Sequence, residues 1–173
     1  MSCGGATTAA WSKAGNCYGP MDPVSNVVLN TVWYDIAFLL TQEVAEVEVV
    51  PAPGLHLTVA RTLRGLVTFL VAGHRCLTEQ DAVQCLLRAD ADVHAATEEA
   101  ERLGFHALDG GDKHEGCYRA AAAVGRHPRP FSQGTFLASY TPTKRRCLRR
   151  CGAALAAVSG DILRSSQATA LHR

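Results

Sequence analysis

Asp22-Pro23 opens the most constraining stretch of this chain, because apolar residues then recur at four-residue steps through Val24, Val28, Val32 and Ile36. An Asp side chain accepts from the first free amides of a helix, and Pro fits the first helical turn, where its missing N–H costs no hydrogen bond. Val27, Leu29 and Trp33 widen the stripe. The spacing predicts a helix over 23–39 with its valine side turned into a core.

The same reading continues along the chain. Val59, Leu63, Leu66, Val67 and Leu70 predict a helix over 58–72, stopped by Gly73. Thr78 with Asp81 resembles a capping box opening a helix through Leu87, with Val83, Leu86 and Leu87 inward. Residues 92–103 form an acidic helix ending at Gly104, and Asp109-Gly110-Gly111 marks a turn. Asp112 and Glu115 suggest another box before an alanine-rich helix to about Val124, which His127-Pro128-Arg129-Pro130 breaks. Pro130 can start a short helix through Phe131, Phe136 and Leu137, Thr141-Pro142 a basic one to Val158, and Ser159-Gly160-Asp161 a last turn or two. Glu43 to Val49 alternates as a short strand would, but no second strand is there to pair with, which leaves a loop or frayed helix as the alternative.

These elements, with no repeat of fixed period, predict an all-α fold: a compact bundle of about six to seven helices. Aromatic residues make up 6% of the chain, and a core of Ala, Leu and Val suits close helix packing. At 173 residues the chain is long enough for one domain that needs neither disulfide nor metal to hold it. Residues 1–20 are rich in Gly, Ala, Ser and Thr without a period, and are expected to be a flexible arm. The helical domain then covers 21–141 and a basic helical segment 142–173. Net charge is −5 over 1–141 and +6 over 142–173, a polarity that sets an acidic body against a basic end.

Seven cysteines form an odd set without the two-residue gaps of zinc ribbons or redox motifs, so most read as free thiols. The first twenty residues lack the apolar run of a signal peptide; their lack of acids fits a transit peptide, but they contain no Arg. Leu66 to Ala72 is too short to cross a bilayer, and the expected compartment is cytoplasm or nucleus.

Three strings carry a family likeness: Gly19-Pro20-Met21-Asp22-Pro23-Val24-Ser25-Asn26-Val27-Val28-Leu29-Asn30-Thr31, then Gln84 to Val93 with its Leu-Leu-Arg-Ala-Asp-Ala-Asp core, then His127-Pro128-Arg129-Pro130. Over residues 15–140 the chain resembles the PIR-two-like helical domain family of grass proteins. That resemblance implies a helical fold, a plant source and no assigned molecular function, and it supplies no catalytic residues. Relatives usually continue the first helix differently after the Trp-Tyr-Asp region, and some are longer.

Candidate chemistry is sparse. Asp90, Asp92 and His94 could approach a divalent ion on a turn, but i and i+2 do not share a helix face, and Asp92 reads more simply as a cap. His114-Glu115-Gly116-Cys117-Tyr118 has Tyr118 where a zinc helix needs its second His, leaving a His114/Cys117 pair without a third partner. Cys147 and Cys151 lie one turn apart among arginines that would favour thiolates; burial as small apolar residues is the plainer reading. Lys144, Arg145, Arg146, Arg149 and Arg150 could bind phosphates or direct nuclear import, or form a solvated face docking on Glu98, Glu99 and Glu101. Gly4-Gly5 and Gly110-Gly111 lack the flanking strand and Lys-Ser/Thr of a phosphate loop. No cofactor and no catalytic residue is expected. The chain reads as a non-enzymatic module that binds another protein, the alternative being a nuclear or nucleic-acid-associated protein acting through 144–150.

Overall fold

The computed structural model describes residues 10–39, 52–108 and 113–140, and six α-helices run through them. Helix α1 (Pro23–Tyr34) starts where the Asp22 carboxylate accepts the Ser25 N–H at 3.0 Å, and it runs on into a π-helical turn over Asp35–Leu39. Its extent matches the predicted 23–39. Helix α2 (Ala52–Gly73) is 22 residues long and begins six residues before the predicted start, because Pro53 is tolerated in a first helical turn.

Local capping sets the next two helices. At α3 (Glu79–Arg88), Thr78 Oγ1 accepts the Asp81 N–H at 3.2 Å while Asp81 Oδ2 accepts the Thr78 N–H at 3.3 Å, which completes the expected box. Asp92 opens α4 (Val93–Arg102) by accepting the N–H groups of His94 and Ala95 at 2.8 and 3.1 Å. Between them the chain reverses through Asp90 and Ala91, both left-handed at φ 50° and 61°. The buried side of α3 is Ala82, Cys85 and Leu86; Leu87, predicted inward, is turned to solvent. Small residues at i and i+3 let α3 approach its neighbours more closely than a leucine there would.

Helix α5 (Lys113–Val124) is the hub: α2 packs along one side of it and α6 (Pro130–Ala138) along another, with α3 and α4 paired against each other and against α2. Leu66, Phe69 and Leu70 of α2 meet Tyr118 and Ala121 of α5, Leu137 of α6, and Val93, Ala96 and Ala100 of α4 in one core. Phe69 and Tyr118 sit with ring centroids 4.7 Å apart. The expected inward face of α2 is corrected at its front end, since Val59 and Leu63 are exposed there. Among the described residues the only β contact is an isolated antiparallel bridge between His74 and Ala107, where Arg75 N–H reaches His106 O at 2.9 Å.

The expectation of a flexible arm over 1–20 is corrected from Ala10 onward. Residues 10–13 form a helical turn, Ala10 and Ala14 are buried, and Tyr18 has no exposed surface. The Tyr18 hydroxyl donates to Gln133 Oε1 at 3.3 Å, and its ring lies so close over Gly65 that a Cβ there would come within 2.5 Å of it. Tyr18 is thus an aromatic plug seated between α2 and α6, while Ala10 and Ala14 pack with Tyr34.

The chain divides into two units, 1–139 and 140–173. The alternation over 43–49, the turn at 109–111, the Asp112 cap, the basic helix over 142–158 and the final turn from Ser159 lie outside the described residues.

Candidate interaction surface

Helix α1 turns the opposite way from the sequence prediction. Asn26, Asn30, Thr31 and Tyr34 are its buried residues, while Val24, Val28, Val32 and Ile36 are 75, 54, 46 and 61% exposed. The reason lies in the strap formed by residues 16–21, whose backbone has no helix or sheet partner and must find hydrogen bonds elsewhere. Asn26 supplies three: its Oδ1 accepts the Met21 N–H at 2.9 Å, and its Nδ2 donates to Met21 O at 2.7 Å and Cys17 O at 3.0 Å. One turn on, Asn30 Nδ2 donates to Asn16 O at 2.8 Å and Tyr18 O at 3.1 Å. Gly19 makes the approach possible, since a Cβ at that position would fall 2.5 Å from Asn26 Oδ1. With both asparagines held against the strap, the valine stripe has only the outside left to face.

Beside this stripe lies an apolar groove of about 370 Å3, walled by Trp11 of the helical turn that starts at Ala10, Cys17 of the strap, Val27 of α1, and Val59, Leu63 and Leu66 of α2. Burial pushes the Cys17 thiol up to about 11, so it is a neutral, apolar lining group. Val24 sits three residues before Val27, on a neighbouring part of the same helix surface, so stripe and groove adjoin.

The far end of α1 is fixed by rings. Trp33 stacks on Phe136 of α6 at 4.5 Å between centroids, and Phe38 meets both Trp33 and Tyr34 at 5.4 and 5.2 Å. His127 is 4% exposed at the centre of this cluster, 5.5 Å from the Tyr34 ring and 6.0 Å from Trp33. Its Nδ1 accepts the Arg129 N–H at 3.0 Å, which assigns the ring proton to Nε2. Burial holds its pKa down at about 4. The His-Pro-Arg-Pro turn is therefore a structural joint.

The candidate chemical residues do not assemble. Asp92 engages its carboxylate as a cap, Asp90 is exposed, and the His94 ring stands 6.4 Å from His114. Among the described residues, no group of three or more His, Cys, Asp or Glu side chains is placed to hold a metal. Cys117 is buried with Gly73 over its sulfur, whereas His114 is exposed. Burial also raises the Cys85 pKa. Glu99 is gripped by Arg102 at 2.6 Å and Arg88 at 2.8 Å, and those hydrogen bonds hold its carboxyl down at about 2. Cys147, Cys151 and the five basic residues from Lys144 to Arg150 lie outside the described residues. A second hollow of about 550 Å3 is lined by Arg75, Glu101, Phe105, His106 and Ala107, with no hydroxyl or thiol nucleophile among them.

No helix among the described residues is long and apolar enough to cross a membrane. The fold and surface define a small all-helical domain with an apolar face on its first helix. The chain belongs to the family described as PIR2-like, helical domain, whose model matches residues 4–101, more than half of its length. The match takes in the strap and α1 to α4, and it ends before α5 and the His-Pro-Arg-Pro turn, short of the stretch to 140 over which the likeness was expected. No curated protein and no solved structure matches the chain. The exposed valine stripe was missed because hydrophobic spacing alone does not say which side of a helix is covered; Asn26 and Asn30, one turn apart after Gly19-Pro20, were the available signal.

Proposed function

We propose that this domain is a non-enzymatic protein-interaction module that works through the apolar face of α1 and the front of α2. The observation that carries the reading is the run of Val24, Val28, Val32 and Ile36, exposed in a row, beside the exposed Val59 and Leu63 of α2, which line the groove together with Val27. Single exposed aliphatic residues are ordinary on any surface, but a contiguous apolar row beside an apolar groove marks a surface that is covered in use. The cytoplasm or nucleus is the compartment we assign to it.

The test compares three forms of the tagged chain recovered from its native tissue: wild type, Val28→Asp/Val32→Asp, and a form with Lys144, Arg145, Arg146, Arg149 and Arg150 neutralised. A protein that co-purifies with the first and third but not the second supports the reading. Partners kept by all three, or lost only with the five cations, overturn it, and the latter result favours a nuclear or nucleic-acid role for the basic segment.

A further inference from the structure

Resting on that reading, we infer that the partner of the α1 face is a second copy of this chain, packed stripe against stripe across a two-fold axis. The exposed side chains form one ridge. Val24, Val28, Val32 and Ile36 follow each other at four-residue steps, the row that fits between the same rows of another helix at a crossing angle of about −50°. An identical helix supplies that complement, and the two-fold axis gives each copy the same contact. All four side chains are branched at Cβ and restricted in rotamer, so covering them costs little conformational entropy. With the adjoining Val59 and Leu63 they expose roughly 550 Å2, near the top of the range for the largest patch on a monomer and below the about 800 Å2 per partner of a standard interface. Such an area suits a dimer of micromolar affinity.

Charge permits the pairing. Helix α1 carries no charged side chain from Pro23 to Tyr34, and among the described residues none lines the groove beside it. On α2 the groove is lined by Thr58, Val59, Thr62, Leu63 and Leu66, and helical spacing puts Arg61 and Arg64 about 130° and 170° round the axis from the middle of that set. Two copies therefore meet without setting like charges together, whereas a charged partner would bury its charges against a face that offers none in return. The segment 40–51, outside the described residues, carries Glu43, Glu46 and Glu48 and would meet the same lack of a cation. Asp35, at the C-terminal end of α1, sets the direction. Antiparallel pairing brings it towards the amide end of the other α1, where a carboxylate is favoured, while parallel pairing would put it beside its own equivalent. Val28 of each copy then lies opposite Val32 of the other.

The experiment is sedimentation velocity of the full chain over about 1–300 μM, with circular dichroism to check that each variant is folded. The expected result is a shift from monomer to dimer as concentration rises, with Kd about 10–100 μM. Val28→Asp and Val32→Lys should each weaken the dimer about tenfold or more, whereas Leu87→Asp, at an exposed apolar position on α3, should leave it unchanged. Mixing the Val28→Asp chain with the Val32→Lys chain should restore pairing, because antiparallel packing sets those two positions opposite each other. A monomer at every concentration, a dimer indifferent to these substitutions, or a mixture that pairs no better than its components overturns the inference. So does a wild-type monomer that dimerises once residues 40–51 are replaced by a Gly-Ser linker, a result that assigns the face to that segment. A different protein lost from Val28→Asp/Val32→Asp in tissue would still stand if the purified chain proved monomeric, so the two readings fail separately.

Discussion

Helices α1 and α4 are of similar length and both begin at an Asp cap, yet they turn opposite kinds of residue to the core. Helix α4 buries Val93, Ala96 and Ala100 and leaves Glu98 and Glu101 on its outer side. Helix α1 buries Asn26, Asn30 and Thr31 and leaves its valines outside. What differs is the neighbour. Helix α4 packs against helices whose backbone hydrogen bonds are already internal, so its buried face gains apolar contact, with the Glu99–Arg88 ion pair outside it. Helix α1 packs against an irregular strap, where unmade backbone bonds cost about 1–3 kcal/mol each and outweigh the gain from half-covering a valine.

The comparison breaks most sharply at Asn26. Asn26→Leu keeps the volume but strips partners from Met21 N–H, Met21 O and Cys17 O, and should cost about 3–5 kcal/mol in urea unfolding. A change below about 1 kcal/mol would mean that the strap is not held by this residue.

Acid should loosen the same half first. The folded pKa of His127, about 4, lies below the unfolded value of 6.5, so the unfolded chain binds more protons between them. The stability tied to neutral His127 is complete above pH 6.5 and is lost as pH falls towards 4, amounting to about 3 kcal/mol. Fluorescence of Trp33, which stacks beside it, should follow the loss, and His127→Gln should flatten the profile.

In the conventional half the effects are smaller. Asp92→Ala removes the acceptor for two amide groups at the start of α4 and should lower stability by about 1 kcal/mol in thermal unfolding. Leu87→Ser, at a position turned to solvent, should change it by less than about 0.5 kcal/mol; a larger loss would restore the inward placement that hydrophobic spacing predicted for Leu87.

Legibility in the sequence followed how local each determinant is. The starts of α1, α3, α4 and α6 were readable because Asp22-Pro23, Thr78 with Asp81, Asp92 and Pro130 act within one turn of themselves. The order of residues 10–20 was not, since it depends on Tyr18 meeting Gly65 and Gln133, far along the chain. The orientation of α1 falls between these cases. Its stripe was visible, but its sidedness is set by backbone groups of residues 16–21 that no periodicity records. The candidate surface was therefore present in the sequence with its sign reversed.

The most direct measurement of this account compares thermal unfolding of Val28→Asp/Val32→Asp with that of Asn26→Leu/Asn30→Leu. If the valines face out and the asparagines face in, the charged pair leaves the midpoint within about 4 °C of wild type, whereas the added leucines lower it by about 10 °C or more. Unfolding of the aspartate variant alongside a leucine variant as stable as wild type would contradict it, and would place the valine stripe in the core.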